Sequence, residues 1–234
     1  MSLKKRAGVC LLSFIFFFIC CFTFGFDNNK ALFVTAVPTV TKTVIVDAGH
    51  GGFDGGAVAD DGTPEKDINL KIALKLAEML RLHGFSVILT RRDDSGTETD
   101  PTDSIANRKK SDMTERLNII NSNPDAVFVS IHLNKFTTSS ARGAQVFYSP
   151  NDERSALLGL AIQQTVAGLL QPENTRTIKK GTKSTYLLYR AKIPAVIVEC
   201  GFLSNKTELE LLKSEEYQSK MAFAILCGIL NYGS

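Results

Sequence analysis

Almost no net charge remains in this chain of 234 residues once its first six are set aside. The formal charge is +3, and Lys4, Lys5 and Arg6 supply all of it, since no acidic residue precedes Asp27. A neutral body lacks the basic footprint of a nucleic-acid binder, so no nucleic-acid partner is expected. Cysteine is scarce as well. Of five, Cys10, Cys20 and Cys21 lie in the apolar leader and only Cys200 and Cys227 in the body. That is not a disulfide framework, and the apolar neighbours of both body cysteines read as those of buried thiols. The small residues that lipid attachment requires do not precede Cys20 or Cys21. There is no internal repeat, no long low-complexity tract and no sign of a second domain. The glycine-rich loop from Gly49 to Gly62 is not followed by the Lys-Ser/Thr of a P-loop, which argues against nucleotide binding.

What is present divides into three parts. Residues 1–26 place three basic residues ahead of an uncharged run from Val9 to Phe26. Eighteen such residues match the roughly 17–25 that a membrane-spanning helix needs, and the leading positive charges predict a cytoplasmic N-terminus. The segment reads as a signal anchor or as a signal peptide, with Val34-Thr-Ala36 the best cleavage candidate for the latter. Either reading exports the rest of the chain. Residues 27–41 look like a linker, and residues 42–234 like one catalytic domain, a length ordinary for a single fold.

Thr43–Val46, Phe85–Leu89, Ala126–Ile131, Gly143–Tyr148 and Ala195–Val198 are short apolar runs that read as strands, the last buried on both faces. Thr63 and Pro64 form a helix start, as N-cap and first helical residue. Ile68, Ile72, Leu76 and Leu80 follow as a buried stripe, and Gly84 is the stop. Residues 91–111 read as a polar surface loop, 112–122 and 152–170 as helices, 171–185 as irregular, and 206–213 and 215–230 as helices. Strands alternating with helices predict an α/β domain with a mainly parallel sheet and helices on both faces.

In open α/β sheets ligands bind beyond the carboxyl ends of strands. Asp47-Ala-Gly-His50 ends the first strand, Ser130-Ile-His132 the third, and Val198-Glu199 the last. His50 and His132, with Glu65 from the first turn of a helix, make a three-ligand set of the kind that holds zinc and leaves one coordination position open. Each residue also has a plain reading: a histidine after a strand as a loop residue, Glu65 as a group that suits a helix start. Glu199 is harder to dismiss, because an unpaired carboxylate after a buried strand is costly and needs a partner. Burial also tunes a carboxylate for proton transfer. Cys200 falls on the face opposite Glu199, and His83 lies at a helix end outside the site.

Val46-Asp-Ala-Gly-His-Gly-Gly52, Glu65-Lys-Asp-Ile-Asn-Leu70, Leu89-Thr-Arg91, Ser130-Ile-His-Leu-Asn134 and Val198-Glu-Cys-Gly-Phe-Leu-Ser-Asn205, in that order, resemble the zinc-dependent N-acetylmuramoyl-L-alanine amidases, the amidase 3 family. The resemblance runs from about Thr43 to Tyr232. It implies hydrolysis of the amide between the lactyl group of N-acetylmuramic acid and the L-alanine of the peptidoglycan stem. It implies one Zn2+ on His50, Glu65 and His132, with Glu199 as the catalytic base, and it leaves Asn134 and Arg116 as candidates for substrate contact. The family's Arg-x-x-x-Ala-Asn pattern is here Arg116-Leu-Asn-Ile-Ile-Asn121, a change of packing. Only Lys135 to Arg142 separates Asn134 from the next strand, too short for the inhibitory helix of some relatives. The short chain with one apolar segment and no wall-binding repeats is most similar to the germination-specific amidases of spore formers. That similarity implies spore cortex as substrate, muramic-lactam formation as the purpose, and the forespore intermembrane space as one location. An activating protein partner and a zinc peptidase acting on stem peptides both stay open on the sequence alone.

Overall fold

A computed structural model describes residues 42–233; the anchor and linker expectations for residues 1–41 lie outside the described residues. The elements run β1 (Thr43–Ala48), α1 (Glu65–Leu82), β2 (Ser86–Leu89), α2 (Ile105–Asn121), β3 (Ala126–Asn134), β4 (Gln145–Tyr148), α3 (Arg154–Leu170), β5 (Lys179–Lys180), α4 (Tyr186–Arg190), β6 (Ala195–Phe202), α5 (Lys206–Lys213) and α6 (Glu215–Tyr232). The six strands form one sheet in the order β2-β1-β3-β6-β4-β5. The first four in that order are parallel, β4 is antiparallel to β6, and β5 is parallel to β4. The α/β domain expected from the sequence is therefore present, with a mixed sheet. Among the described residues no helix is long and apolar enough to cross a membrane.

Strand alternation divides the core between the two faces. Val44, Val46, Val129, Ile131, Val196, Val198 and Cys200 pack with α1, α3, α5 and α6, and all are fully buried. Ile45, Phe128 and Ala195 point the other way, under α2 and α4. The same second face carries Asp47, Ser130, His132, Ile197 and Glu199 nearer the carboxyl ends, since Asp47 pairs with Ser130, Ser130 with Ile197 and His132 with Glu199. The two helices on this face cover its lower part and leave that edge open as a cleft.

Several local expectations are corrected. α1 begins one residue later than Thr63 and Pro64 implied: Pro64 is the extended N-cap residue and makes no side-chain cap. Thr63 is held instead in a turn, its N–H donating to Asp61 Oδ1 and its carbonyl accepting from Ala59. Gly84 does end the helix region, at φ +82, a conformation open to glycine at little cost. α2 begins at Ile105, inside the stretch expected to be a loop. Its first turns face solvent, so they show no apolar period, and they form on the Ser104 cap, whose Oγ accepts the N–H of Asn107 at 3.3 Å. The stretch 171–185 contains the two-residue edge strand β5, whose exposed lysines carry no apolar signature. β6 is not buried on both faces: Val196, Val198 and Cys200 are buried, whereas Ile197 and Glu199 border the cleft. Cys227 is only half-buried.

Candidate metal centre and catalytic cleft

The hydrogen-bonded turn after β1 throws His50 back over the sheet edge. His50 has φ +63, the left-handed region, and is the one non-glycine residue there among those described. Such a backbone costs on the order of 1–3 kcal/mol and persists where neighbours over-determine it. Arg116 and Arg91 supply that constraint. Arg116 donates to the carbonyl oxygens of Ala48 at 3.0 Å and His50 at 2.7 Å, and Arg91 to those of Ala48 at 2.9 Å and Gly49 at 3.1 Å. Asp47, near the end of β1, accepts from Arg116, Thr90 and Ser130. Burial alone would raise the Asp47 pKa, but the Arg116 guanidinium and the two hydroxyls hold it below its ordinary value.

His50 Nδ1 lies 2.8 Å from Asp54 Oδ2, and its Nε2 lies 3.2 Å from Glu65 Oε2. His132 Nδ1 lies 2.9 Å from Glu65 Oε1. Glu65 is buried, and its carboxylate also accepts from the backbone N–H of Ala57 at 2.9 Å and Leu133 at 3.0 Å, and from Asn69 Nδ2 at 3.1 Å. Burial opposes its ionisation, yet the two imidazoles hold its pKa well below the carboxylate range. For His50, burial lowers the pKa, but the bonds to Asp54 and Glu65 override it and raise the value to about 9.

One donor atom each from His50, Glu65 and His132 lies within 4.8 Å of the others. Two imidazoles and a carboxylate are a fitting donor set for Zn2+, and the Asp54 carboxylate behind His50 is the outer partner that orients such a ligand. The glycines of the loop fit the same purpose. A Cβ on Gly49 would collide with the His132 ring, and one on Gly56 would sit 2.6 Å from His50 Cδ2 and 2.7 Å from Glu65 Oε2.

Glu199 stands beside His132 across the β3–β6 pair. Its Oε2 is shielded from solvent and has no hydrogen-bond partner among the described residues. Desolvation, partly offset by His132 and reinforced by Glu65, raises its pKa to about 7. The cleft that His50, His132 and Glu199 line holds about 320 Å3, and Met113, Tyr186, Leu187 and Ile197 give it an apolar lining.

The four main sequence candidates, His50, Glu65, His132 and Glu199, are thus brought together. Arg116 borders the same cleft with no donor left over, and Asn134 lies outside it. Arg116 is 1% exposed and uses all five N–H groups on Asp47, Asp112, Ala48 and His50, so it supports the loop from behind. Asn134 lies at the end of β3 and does not line the cleft. His83 is exposed at the end of α1, bonded to the Met79 carbonyl. The sequence reading missed Asp54, whose place four residues after His50 in the glycine loop was the available signal. It also missed the cleft wall from α2 and α4, for which a single sequence holds none.

Known proteins resemble this chain in sequence and in fold. The germination-specific N-acetylmuramoyl-L-alanine amidase of Bacillus subtilis (strain 168) is 35% identical over 224 residues, 94% of this chain and 93% of the relative. The CwlD amidase from Clostridioides difficile, solved in complex with the GerS lipoprotein, is 44% identical, with a TM-score of 0.78 over 82% of this chain and 98% of that one. An N-acetylmuramoyl-L-alanine amidase from Clostridium difficile 630 is 30% identical, with a TM-score of 0.70 over 82% and 96%. The family model of N-acetylmuramoyl-L-alanine amidase matches residues 44–231, and on that span this chain belongs to the N-acetylmuramoyl-L-alanine amidase family.

Proposed function

We propose that this amidase is zinc-dependent, with His50, Glu65 and His132 as ligands and Glu199 as the proton-transfer group. We further propose that it works outside the cytoplasm on spore-cortex peptidoglycan. The observation that carries the reading is a convergent two-imidazole, one-carboxylate set whose imidazoles line one cleft with a carboxyl group that has a shielded, unpaired oxygen. The spore role and the location rest on the likeness to the germination-specific relative and on the apolar segment of residues 1–26. The CwlD amidase is in complex with a lipoprotein, which supports an activating partner at the membrane for this chain too.

A bound Zn2+ supplies Lewis-acid polarisation of the lactyl carbonyl and a lowered pKa for water at the site. The chain's own groups do the rest. Asp54 can only accept, so His50 Nδ1 carries the proton between them and Nε2 is the nitrogen left for the metal. Glu65 is locked by two backbone amides and Asn69, which fixes its carboxylate at the sheet edge. Glu199, beside His132 on the adjacent strand, takes a proton from the attacking water as the carbon–oxygen bond forms. It returns a proton to the alanine nitrogen as the carbon–nitrogen bond breaks.

The test is mass spectrometry of cortex and vegetative peptidoglycan digested by the full-length chain, with and without added Zn2+. Zinc-dependent release of intact stem peptides with a free L-alanine amino terminus, greater from cortex, is expected. Release of single amino acids, or of shortened stems still joined to muramic acid, replaces the reading with a zinc peptidase.

A further inference from the structure

The apolar lining of the cleft has no role in the bond-breaking step, yet its composition is specific. Leu187 from α4 is buried, Met113 from α2 and Ile197 from β6 are half-buried, and together they form an apolar wall. Lys109, one helical turn from Met113 on the same face of α2, stands at the mouth. Its Nζ lies 3.2 Å from Asp54 Oδ1, and its side chain is 55% exposed. Arg116 also borders the cleft but has spent every donor. Apart from the imidazoles, Lys109 is the one cation of the cleft, among the described residues, with N–H donors to spare. It is one carboxylate away from His50, because Asp54 bridges the two.

A bond between a lactyl group and alanine carries one methyl group on each side. Two further residues of extended chain span at most about 7 Å, and only the Asp54 carboxylate separates Lys109 from His50, so a substrate held at His50 can bring the residue after the alanine to Lys109. We propose that Met113, Leu187 and Ile197 receive the methyl groups flanking the scissile amide, and that Lys109 pairs with a free carboxylate on the residue after the alanine. The cleft then selects stems by the charge of that second residue. This rests on the amidase reading of the same site.

The experiment uses two soluble muropeptides that differ only in that second residue, one with a free carboxylate and one with a carboxamide. The zinc-loaded full-length enzyme is compared with its Lys109→Ala, Lys109→Arg and Lys110→Ala variants, and zinc affinity is measured for each. Wild type is expected to favour the carboxylate substrate in kcat/KM. Lys109→Ala is expected to reduce that preference about three- to tenfold, the scale of a partly exposed charge-assisted hydrogen bond. Lys109→Arg is expected to restore it, and Lys110→Ala, at an exposed lysine outside the cleft, to keep it. A preference that does not change in Lys109→Ala overturns the proposal. So does equal loss on both substrates together with weaker zinc binding, which would make Lys109 a support for Asp54. Wild type that cleaves both substrates equally, while it releases intact stems from peptidoglycan, overturns the proposal and leaves the amidase reading standing.

Discussion

The carbonyl oxygen of His50 accepts a hydrogen bond of 2.7 Å from Arg116 Nη2, and His50 is held in the left-handed backbone region at φ +63. The guanidinium that makes this bond is also paired with Asp47 and Asp112 in the core. The geometry of the proposed metal site and the core electrostatics are therefore one construction: the turn that presents an imidazole to the cleft is tied to a buried ion network rather than left to the loop.

Removing that guanidinium should affect both. Arg116→Met leaves Asp47 buried without its partner, and loss of one member of a buried pair commonly costs about 3–5 kcal/mol. Urea denaturation of the metal-free protein should show a loss on this scale. Arg116→Lys keeps the charge but cannot reach five acceptors, so it should be milder in stability while still weakening zinc binding. Unchanged zinc affinity in Arg116→Lys would detach the network from the site.

Glu199→Gln keeps the shape of the side chain and removes its base. A fall in kcat of about 10²–10⁴ is expected, the usual contribution of general acid–base catalysis, with zinc content by elemental analysis equal to wild type. Activity within a few-fold of wild type would remove Glu199 from the proton-transfer role.

The same variant has a signature in stability. Glu199 titrates at about 7 in the folded metal-free protein, against an ordinary value of 4.5. Folding thus favours its protonated form; the neutral carboxyl is tolerated below pH 4.5, and stability is lost as pH rises through 7. Gln mimics the neutral form at every pH. Metal-free Glu199→Gln should match wild type near pH 4.5 and exceed it above pH 7, by up to roughly 3 kcal/mol from the difference of the two values. Chemical denaturation at about pH 5 and about pH 8 tests this, and a gap that does not depend on pH would contradict it.

Gly56 and Gly62 separate backbone strain from encroachment on the metal donors. Both have positive φ, +69 and +89, but a Cβ would press on His50 and Glu65 only at Gly56, and would meet nothing within 4 Å at Gly62. Each substitution by alanine should cost about 1–2 kcal/mol of stability from the backbone alone. Gly56→Ala should in addition weaken zinc binding by about tenfold or more, measured by competition with a chelator, while Gly62→Ala should not.

The sequence by itself determined the parallel core and the metal-binding candidates. Val44–Val46, Ala126–Val129 and Ala195–Val198 are apolar because a covered sheet demands it, and that pattern is local. His50, His132 and Glu199 follow those strands directly, so their arrival at one edge was legible once the strands were. Three matters were decided only in three dimensions. α2 begins at Ile105 because a capped, solvent-facing turn can form without any apolar period to announce it. Arg116 looked available to substrate, yet Asp47, distant in the chain, binds it in the core, and no local pattern encodes that pairing. The character of the cleft comes from α2 and α4 packed on one sheet face, which bring Lys109, Met113 and Leu187 into one cleft with Glu199. Periodicity tells which way a residue faces; which residues meet across a gap is set by the packing of whole elements.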